Sequence, residues 1–460
     1  MSKLFYRQFY KHNQYIRNNH DNHNKKQLFS GAIIKWKLLT IAEKVVSSNI
    51  ILIPVWWILG LYRYMALFIL IGAFFYEYRY RGGIQLKKPT LSVLFLLIFS
   101  SYNLIGLNFY RLATTGNLEV TADLRFLTFW YGLTFLLWYI QSYKIKVRLP
   151  VVAWSVSILV VEMLAFWIIG ELIFGSRDYT PVRTIFSIFA GNADGGYEPG
   201  KGLANYLIPY RPNDVSIAQF SRWSFFFIIP EVLALVTGYI ILLALDIRNS
   251  FWSGLLMSSS FFLLLISGTR SVWLVVPILI FLRFIFNKGF QQGLTALLAV
   301  IALTSWITLS FPVVTESLFE AYESQIVNVE NYRADSTEVR NDIYQETLKA
   351  IPEKPIFGHW VAGSAVLKGF ELGRVGTHSF ILGTLAYRLG LVGTLIFLSF
   401  WISLCIWFYK TRENRPSSGY FLLALFSLVS TVMEFGEMIG CMLIILAAIV
   451  EDDKNKALDI

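Results

Sequence analysis

The chain reads as an all-α polytopic membrane protein, and three observations predict it. Of its 460 residues 55% are hydrophobic and only 15% are charged, where a soluble domain averages about a quarter charged. Its apolar residues gather in runs of the roughly 20 residues that a membrane helix needs. Its basic residues fall into alternate connections between those runs, as the positive-inside rule requires. Together these exclude a disordered chain and argue against a soluble multidomain enzyme. Cys405 and Cys441 both lie in apolar runs, which excludes a disulfide framework.

About twelve runs qualify, near 46–62, 64–79, 89–106, 124–141, 149–172, 223–246, 251–267, 271–286, 291–312, 379–410, 418–435 and 437–450. The first two are the shortest and Arg63 divides them, so they read as two spans or as one broken hairpin. Residues 1–44 carry nine Lys/Arg against Asp21 and Glu43. They lack the apolar core and cleavage site of a signal peptide. They read as a cytoplasmic basic arm that either touches anionic lipid or only fixes topology. Residues 45–460 form a single transmembrane domain without an internal repeat.

Arg79, Arg81, Lys87 and Lys88 follow the second run, and Lys144, Lys146 and Arg148 follow the fourth. Arg283 and Lys288 flank the end of the eighth, and Lys410, Arg412 and Arg415 follow the tenth. These connections read as cytoplasmic, as do both termini. The long connections, about 173–222 and 313–378, fall on the opposite side, and the second holds ten Asp/Glu and six Lys/Arg. The net charge of +10 and pI of about 9.3 are therefore largely topological and imply no nucleic-acid partner. Long structured loops usually carry function.

One motif is rejected. Gly195-Gly196-Tyr197-Glu198-Pro199-Gly200-Lys201-Gly202 has the spacing of a phosphate-binding P-loop. Gly202 stands where Ser or Thr would hold magnesium, however, and no buried strand precedes it. It reads as a Gly-rich external loop. No zinc-ligand spacing and no nucleophile elbow is present.

Of the five histidines, His12, His20 and His23 lie in the basic arm, and only His359 and His378 lie in an external loop. The turn Ser267-Gly268-Thr269-Arg270-Ser271 puts Arg270 at the outer face between two helices. Arg340 lies on an amphipathic helix, Glu338 to Ile351, whose Val339, Ile343, Ala350 and Ile351 face a core and which Pro352 ends. Arg211 and Arg222 approach the outer start of the sixth run. Several outer arginines suit a diphosphate, because the guanidinium fork binds phosphate oxygens bidentately and stays charged. Each arginine also has a bland reading, snorkelling to lipid headgroups, which weighs most for Arg211 and Arg222. His378, at the start of the tenth run, reads as a cap or interface residue or as a general base. Tyr197, Tyr206, Tyr210, Trp223 and Trp360 read as an interfacial aromatic belt or as sugar-stacking platforms.

These elements together resemble the bacterial O-antigen ligase and O-antigen polymerase superfamily. Ser267-Gly268-Thr269-Arg270-Ser271, followed by Trp273-Leu274, is similar to that family's S-G-[ST]-R-[ST] step between helices. Arg340, Ile343, Tyr344 and Ala350, then Pro355-Ile356-Phe357-Gly358, resemble its external R…(aromatic)…A…P-x-x-G segment. Thr377-His378-Ser379-Phe380-Ile381, then Gly390-Leu391-Val392-Gly393, resembles its H-[NS]-x-[FL]-L…G-x-x-G span. The resemblance covers about 250–410. Ser379 stands where Asn is common, and Arg388 where an acidic or neutral residue is usual.

The resemblance implies a GT-C-like glycosyltransferase with a large helical periplasmic loop, in the bacterial inner membrane. The implied donor is a glycan on undecaprenyl diphosphate at the periplasmic face. The implied acceptor is another glycan or lipid A-core. No cofactor and no metal is implied, and a chain-length regulator is a candidate partner beside membrane lipid. His378 is the implied catalytic residue, and Arg270, Arg340, Arg222 and Arg211 the diphosphate-binding set. Tyr344, His359 and Ser379 join them as candidate substrate contacts. A polymerase of surface-polysaccharide repeat units (O-antigen, capsule or exopolysaccharide) is the leading function. A ligase attaching the chain to lipid A-core or protein shares the three motifs. A proton-coupled secondary transporter would instead use Glu162, Glu231, Glu434 and Glu437. It leaves the loop motifs unexplained. A membrane scaffold would depend on neither Arg270 nor His378.

Overall fold

The structure is a computed structural model that describes residues 28–174, 180–190, 197, 203–215, 221–287, 339–366 and 373–451. Most of the basic arm, the Gly-rich loop apart from Tyr197, the run 291–312 and residues 313–338 lie outside the described residues. The apolar runs that remain form helices, because a backbone in hydrocarbon must satisfy its own hydrogen bonds.

Helix α1 (Ile41–Ile51) opens on a capping box in which Thr40 Oγ1 accepts from the Glu43 amide and the Glu43 carboxylate accepts from the Thr40 amide. Helix α2 (Ile53–Leu59) is bent 59° from α1, and Gly60 at φ 72 ends it. The first run is thus a broken segment. Arg63, which separates it from α3 (Met65–Arg81), pairs with Glu437 at 2.9 Å. Next come α4 (Leu91–Thr115), α5 (Val120–Phe126), a π-helical turn at Leu127–Tyr131, α6 (Gly132–Tyr143) and α7 (Leu149–Phe174). The short α8 (Ile185–Phe189) precedes α9 (Pro230–Ala244), α10 (Ser250–Ser267) and α11 (Arg270–Asn287). Residues 339–350 form α12. Helices α13 (Gly390–Lys410), α14 (Ser418–Val429) and α15 (Glu437–Ala448) complete the bundle. Among the described residues, four stretches are long and apolar enough to cross a membrane: Leu91–Thr115, Leu149–Glu171, Ser250–Ser267 and Phe380–Lys410. The bent α1–α2 pair makes a fifth if it counts as one.

Helix α9 is the central pillar. From Pro230 to Ala244 every residue but Val232 is buried, which fits a helix apolar all round. It is shorter than the run 223–246 that contains it. Residues Ser221–Trp223 form an antiparallel ribbon with Tyr210–Val215. The chain then turns through Phe225 at φ 49 before Pro230 starts the helix.

The run 379–410 is not one straight span. Phe380–Leu389 is π-helical, and Gly390 at φ 64, ψ −166 breaks it from α13. The Phe380 ring lies 4.7 Å from the Phe397 ring, whereas 17 residues of straight helix would part them by about 25 Å. The segment Phe380–Leu389 therefore folds back beside the start of α13 as an arm. Phe397 is seven residues into α13, so the base of the arm sits about 10 Å along that helix.

The connections collect at two opposite ends of the bundle. At one end Arg148 donates from Nε to Glu43 at 2.6 Å, and Val147–Arg148 pairs in parallel with Ile449–Val450. Asp246 there pairs with Arg283 and accepts from Ser417 Oγ and the Ser418 amide. The Lys87 amide donates to Ser142 Oγ, and Arg415 donates to the Leu446 and Ala447 carbonyls. All the described connections read as inner meet here. At the other end lie Glu231, the turn after α10, α12 and the start of the arm.

The arm is tied down by a backbone approach that only glycine permits. Gly358 has φ 73, and a Cβ there would fall 2.3 Å from the Arg388 carbonyl oxygen and 2.6 Å from the Gly390 nitrogen. Gly358→Ala is expected to cost about 1–3 kcal/mol and to lower the melting temperature of the detergent-purified protein. Gly254→Ala, inside α10 with nothing within 4 Å of the new Cβ, is expected to gain up to about 1 kcal/mol. Equal melting of the Gly358 variant and wild type would show the approach to be looser than described.

Candidate functional site

The site grows from a buried carboxylate. Glu231 follows Pro230 in the first turn of α9, where the helix dipole favours negative charge. Its Oε1 accepts from Arg222 Nη2 at 2.9 Å and from Arg340 Nη2 at 3.2 Å. Arg211 is a third cationic neighbour of this carboxylate. It stands opposite Arg222 in the ribbon, where two like charges would repel without a shared anion. Among the described residues, three guanidiniums gather round this one carboxylate.

The two closest arginines differ in what they do. Arg222 is buried. Its Nε donates to the Ser267 carbonyl at 2.7 Å and its Nη2 also reaches Thr269 Oγ1 at 3.3 Å. It thereby fastens the turn that carries Arg270. Gly268 in that turn has φ 65, and a Cβ there would press on the Arg222 side chain at 3.3 Å. Arg340 is 39% exposed and keeps part of its fork toward solvent. Arg270, the first residue of α11, is half-buried one position beyond Thr269.

Helix α12 links this cluster to His378. Val339 and Ile343 are buried as the sequence predicts, while Ala350 and Ile351 are half-buried. Arg340, Tyr344 and Thr347 follow at helical spacing on one face. Tyr344 Oη donates to the His378 carbonyl at 3.2 Å, and Thr347 Oγ1 accepts from the Gly376 amide at 2.9 Å. From the other side, Arg388 on the arm donates from Nε to the Gly376 carbonyl at 2.9 Å and pairs with Glu434. The Phe380 amide donates to the Ser430 and Met433 carbonyls. Residues 376–380 are thus held at nearly every position. That support maintains His378 at φ 65, a left-handed backbone uncommon for a residue with a side chain.

The same loop sets the histidine's tautomer. Thr377 Oγ1 donates its only proton to the Arg374 carbonyl at 2.7 Å. Its contact with His378 Nδ1 at 2.8 Å must then be one it accepts, so Nδ1 carries the hydrogen. The neutral imidazole is left with its lone pair on Nε2, which has no hydrogen-bond partner among the described residues. Burial pushes the His378 pKa below its ordinary value of 6.5, the Arg340 charge adds to that, and Glu231 opposes it. A neutral imidazole with an available Nε2 beside fixed positive charge is suited to take a proton from an incoming hydroxyl.

Other predicted residues have structural work. Ser379 is buried and caps the arm, accepting from the Leu382 amide at 3.0 Å. His359 bonds the Ala350 carbonyl through Nε2 at 3.1 Å and stacks on Tyr387 at 4.2 Å, tying the segment after α12 to the arm. Tyr210 and Trp223, read as belt or sugar platforms, are buried against each other, with ring centroids 5.0 Å apart. Trp360 packs on Tyr102 at 5.0 Å, and Tyr197 on Tyr206. Sequence reasoning took Glu231 only as an intramembrane acid and gave Thr347 no role. The signal for Glu231 was present, since a Pro-Glu step marks a helix start at the end where the outer arginines collect.

Residues 252–398 match a family described as O-antigen ligase, which supports the likeness to the O-antigen ligase and polymerase superfamily. The matched segment contains Arg270, Arg340, Tyr344 and His378, whereas Arg211, Arg222 and Glu231 lie before it. No curated protein matches the chain.

Removing the shared carboxylate takes a charged partner from the buried Arg222 guanidinium. Glu231→Ala and Arg222→Ala are each expected to cost about 3–5 kcal/mol. The double variant is expected to cost less than the sum, because the two remove one interaction. Denaturation in detergent measures all three, and additive losses would contradict the pairing.

Proposed function

We propose that this protein is a membrane glycan transferase with a GT-C-like bundle of about twelve spans. In this reading an undecaprenyl-diphosphate-linked oligosaccharide is presented at the periplasmic face of the inner membrane, and both termini are cytoplasmic. The observation that carries the proposal is the neutral His378, with its available Nε2, beside the Arg222–Glu231–Arg340 cluster, with His378 and Arg340 inside a segment that matches an O-antigen ligase family.

The acceptor hydroxyl oxygen attacks the anomeric carbon of the donor sugar while the bond from that carbon to the diphosphate oxygen breaks. His378 Nε2 takes the hydroxyl proton. Arg270 and Arg340 stabilise the negative charge that grows on the leaving diphosphate. Arg222 and Arg211 hold the frame through Glu231 and add to the positive field. Lipid diphosphate is a good leaving group, so the reading assigns no cofactor and no metal. Joining repeat units of a surface polysaccharide is the leading activity, with a chain-length regulator as a possible partner. Transfer to lipid A-core or protein is the same chemistry with another acceptor.

A proton-coupled transporter finds less support. Three of its four candidate acids are committed to arginines: Glu231 to Arg222 and Arg340, Glu434 to Arg388, and Glu437 to Arg63. An acid paired in this way already has a structural role at a helix contact.

His378→Ala and Arg270→Ala are expected to abolish long-chain or capped glycan while the protein still inserts. Normal product from both would remove the site assignment. A deletion strain that accumulates lipid-linked single repeat units marks a polymerase, and one that accumulates lipid-linked long chains marks a ligase.

The proton step predicts a pH signature. The base form of His378 is the neutral one, and its pKa lies below 6.5, so activity in membranes should persist below pH 6.5 and fall only at more acid pH. Thr377→Val, which removes the acceptor for Nδ1–H, is expected to lower kcat by about 10- to 100-fold with little change in KM. Thr377→Ser should restore it. An acid limb above pH 6.5, or a Thr377→Val enzyme with unchanged kcat, would refute the relay.

A further inference from the structure

Away from the His378 site, a cavity of about 840 Å³ opens between α1, α3, α6 and α15. Its size lies within the range of small-molecule sites. Each helix contributes one stripe at helical spacing, such as Ala66, Ile69, Ala73 and Glu77 on α3 and Glu437, Cys441, Ile444 and Ala448 on α15. Stripes that run along the helix axes make a groove and not a round pocket. Along α15 alone it spans twelve residues, a rise of about 16 Å. One leaflet of hydrocarbon is about half of a core roughly 30 Å thick, so the groove is as long as an acyl chain layer is deep.

The polar groups of the groove sit mainly at its two ends. The end nearer the His378 site is closed by the Arg63–Glu437 pair at 2.9 Å and by Trp56 stacked on Phe68 at 5.8 Å. The opposite end is lined by Arg81, Lys144 and Lys146 against Glu77. Glu77 pairs with Arg81 at 3.2 Å. Lys144 and Lys146 are exposed and have no ion pair among the described residues. Two positive charges therefore remain at the mouth of an apolar groove. Within it, Gly72 faces open space, since a Cβ there would meet nothing within 4 Å.

We propose that this groove binds an anionic glycerophospholipid, with its acyl chains along α1, α3, α6 and α15 and its phosphate at Lys144, Lys146 and Arg81. The apolar length answers to the chains and the surplus charge to the headgroup. Neither feature involves the His378 cluster, so the inference stands or falls apart from the proposed function.

The test is native mass spectrometry of the full-length protein in detergent, titrated with phosphatidylglycerol or with phosphatidylcholine of the same chains. Tighter retention of phosphatidylglycerol is expected. The Lys144→Glu/Lys146→Glu variant should lose about tenfold or more of that affinity, since each basic residue near a charged lipid surface contributes measurably. Gly72→Phe, which fills the groove without touching its charges, should weaken binding of both lipids. Lys87→Glu/Lys88→Glu, at the same end but outside the groove lining, should bind as wild type. The proposal fails if the two lipids bind alike. It also fails if the Lys87/Lys88 variant loses as much as the groove variant, which would mark general surface attraction, or if Gly72→Phe changes nothing.

Discussion

A buried carboxylate shared by arginines is the constraint on which the functional end depends. Glu231 begins the most deeply buried helix of the bundle, in surroundings where an unpaired charge is prohibitive. Its position therefore dictates where its partners must be. Arg222 arrives on a β-ribbon, Arg340 on helix α12, and Arg211 from the strand facing Arg222. A ribbon directly before α9 and a helix whose Arg340 lies 109 residues after Glu231 converge because one anion requires them. Arg222 then carries the order onward to the Ser267 carbonyl and Thr269, so the turn holding Arg270 is fixed by the same carboxylate.

The histidine loop is ordered by the opposite strategy. No single strong interaction holds residues 376–380. Thr347, Tyr344, Arg388 and the Ser430 and Met433 carbonyls each take one backbone group. Such distributed support is what allows His378 to keep a left-handed backbone, because strain persists only where neighbours over-determine it. The folded-back arm makes this possible. If Phe380–Lys410 were a straight rod, Phe397 would stand about 25 Å from Phe380 and could not pack against the end of the loop as it does. The break at Gly390 lays the arm beside the start of α13, and Gly358 closes against that break.

The two levels were unequally legible in the sequence. Helix positions were readable because hydrophobic runs of membrane length leave the backbone no alternative. The face of α12 was readable from the spacing of Val339 and Ile343. The arm was not, because Phe380–Leu389 is as apolar as α13 and hydropathy does not register a reversal; only Gly390 hinted at one. The ribbon before α9 was hidden for the same reason, since Trp223 to Ile229 is apolar yet not helical. Arg270, Arg340 and His378 were singled out by residue type and predicted sidedness. Glu231 was missed because an acid in an apolar run suggests proton coupling, and its arginine partners lie 9 and 109 residues away. The role of Thr377 depends on which carbonyl takes its proton, a matter of angstroms that no spacing encodes.

The charge pattern of the whole chain follows from these pairings. The basic residues gathered at the Arg148 end, which the positive-inside rule reads as inner, are mostly exposed. Arginines at the other end run against that rule, and the three within reach of Glu231 are compensated by it. On the proposed function the compensation must be partial. Three unopposed guanidiniums would bind a lipid diphosphate as product as firmly as they stabilise it in the transition state, and uniform binding of that kind does not accelerate turnover. A carboxylate that holds the arginines in place and offsets part of their charge gives a preorganised field of moderated strength. That field is ready for charge as it develops on the leaving group, and its weaker hold on the spent lipid diphosphate favours release.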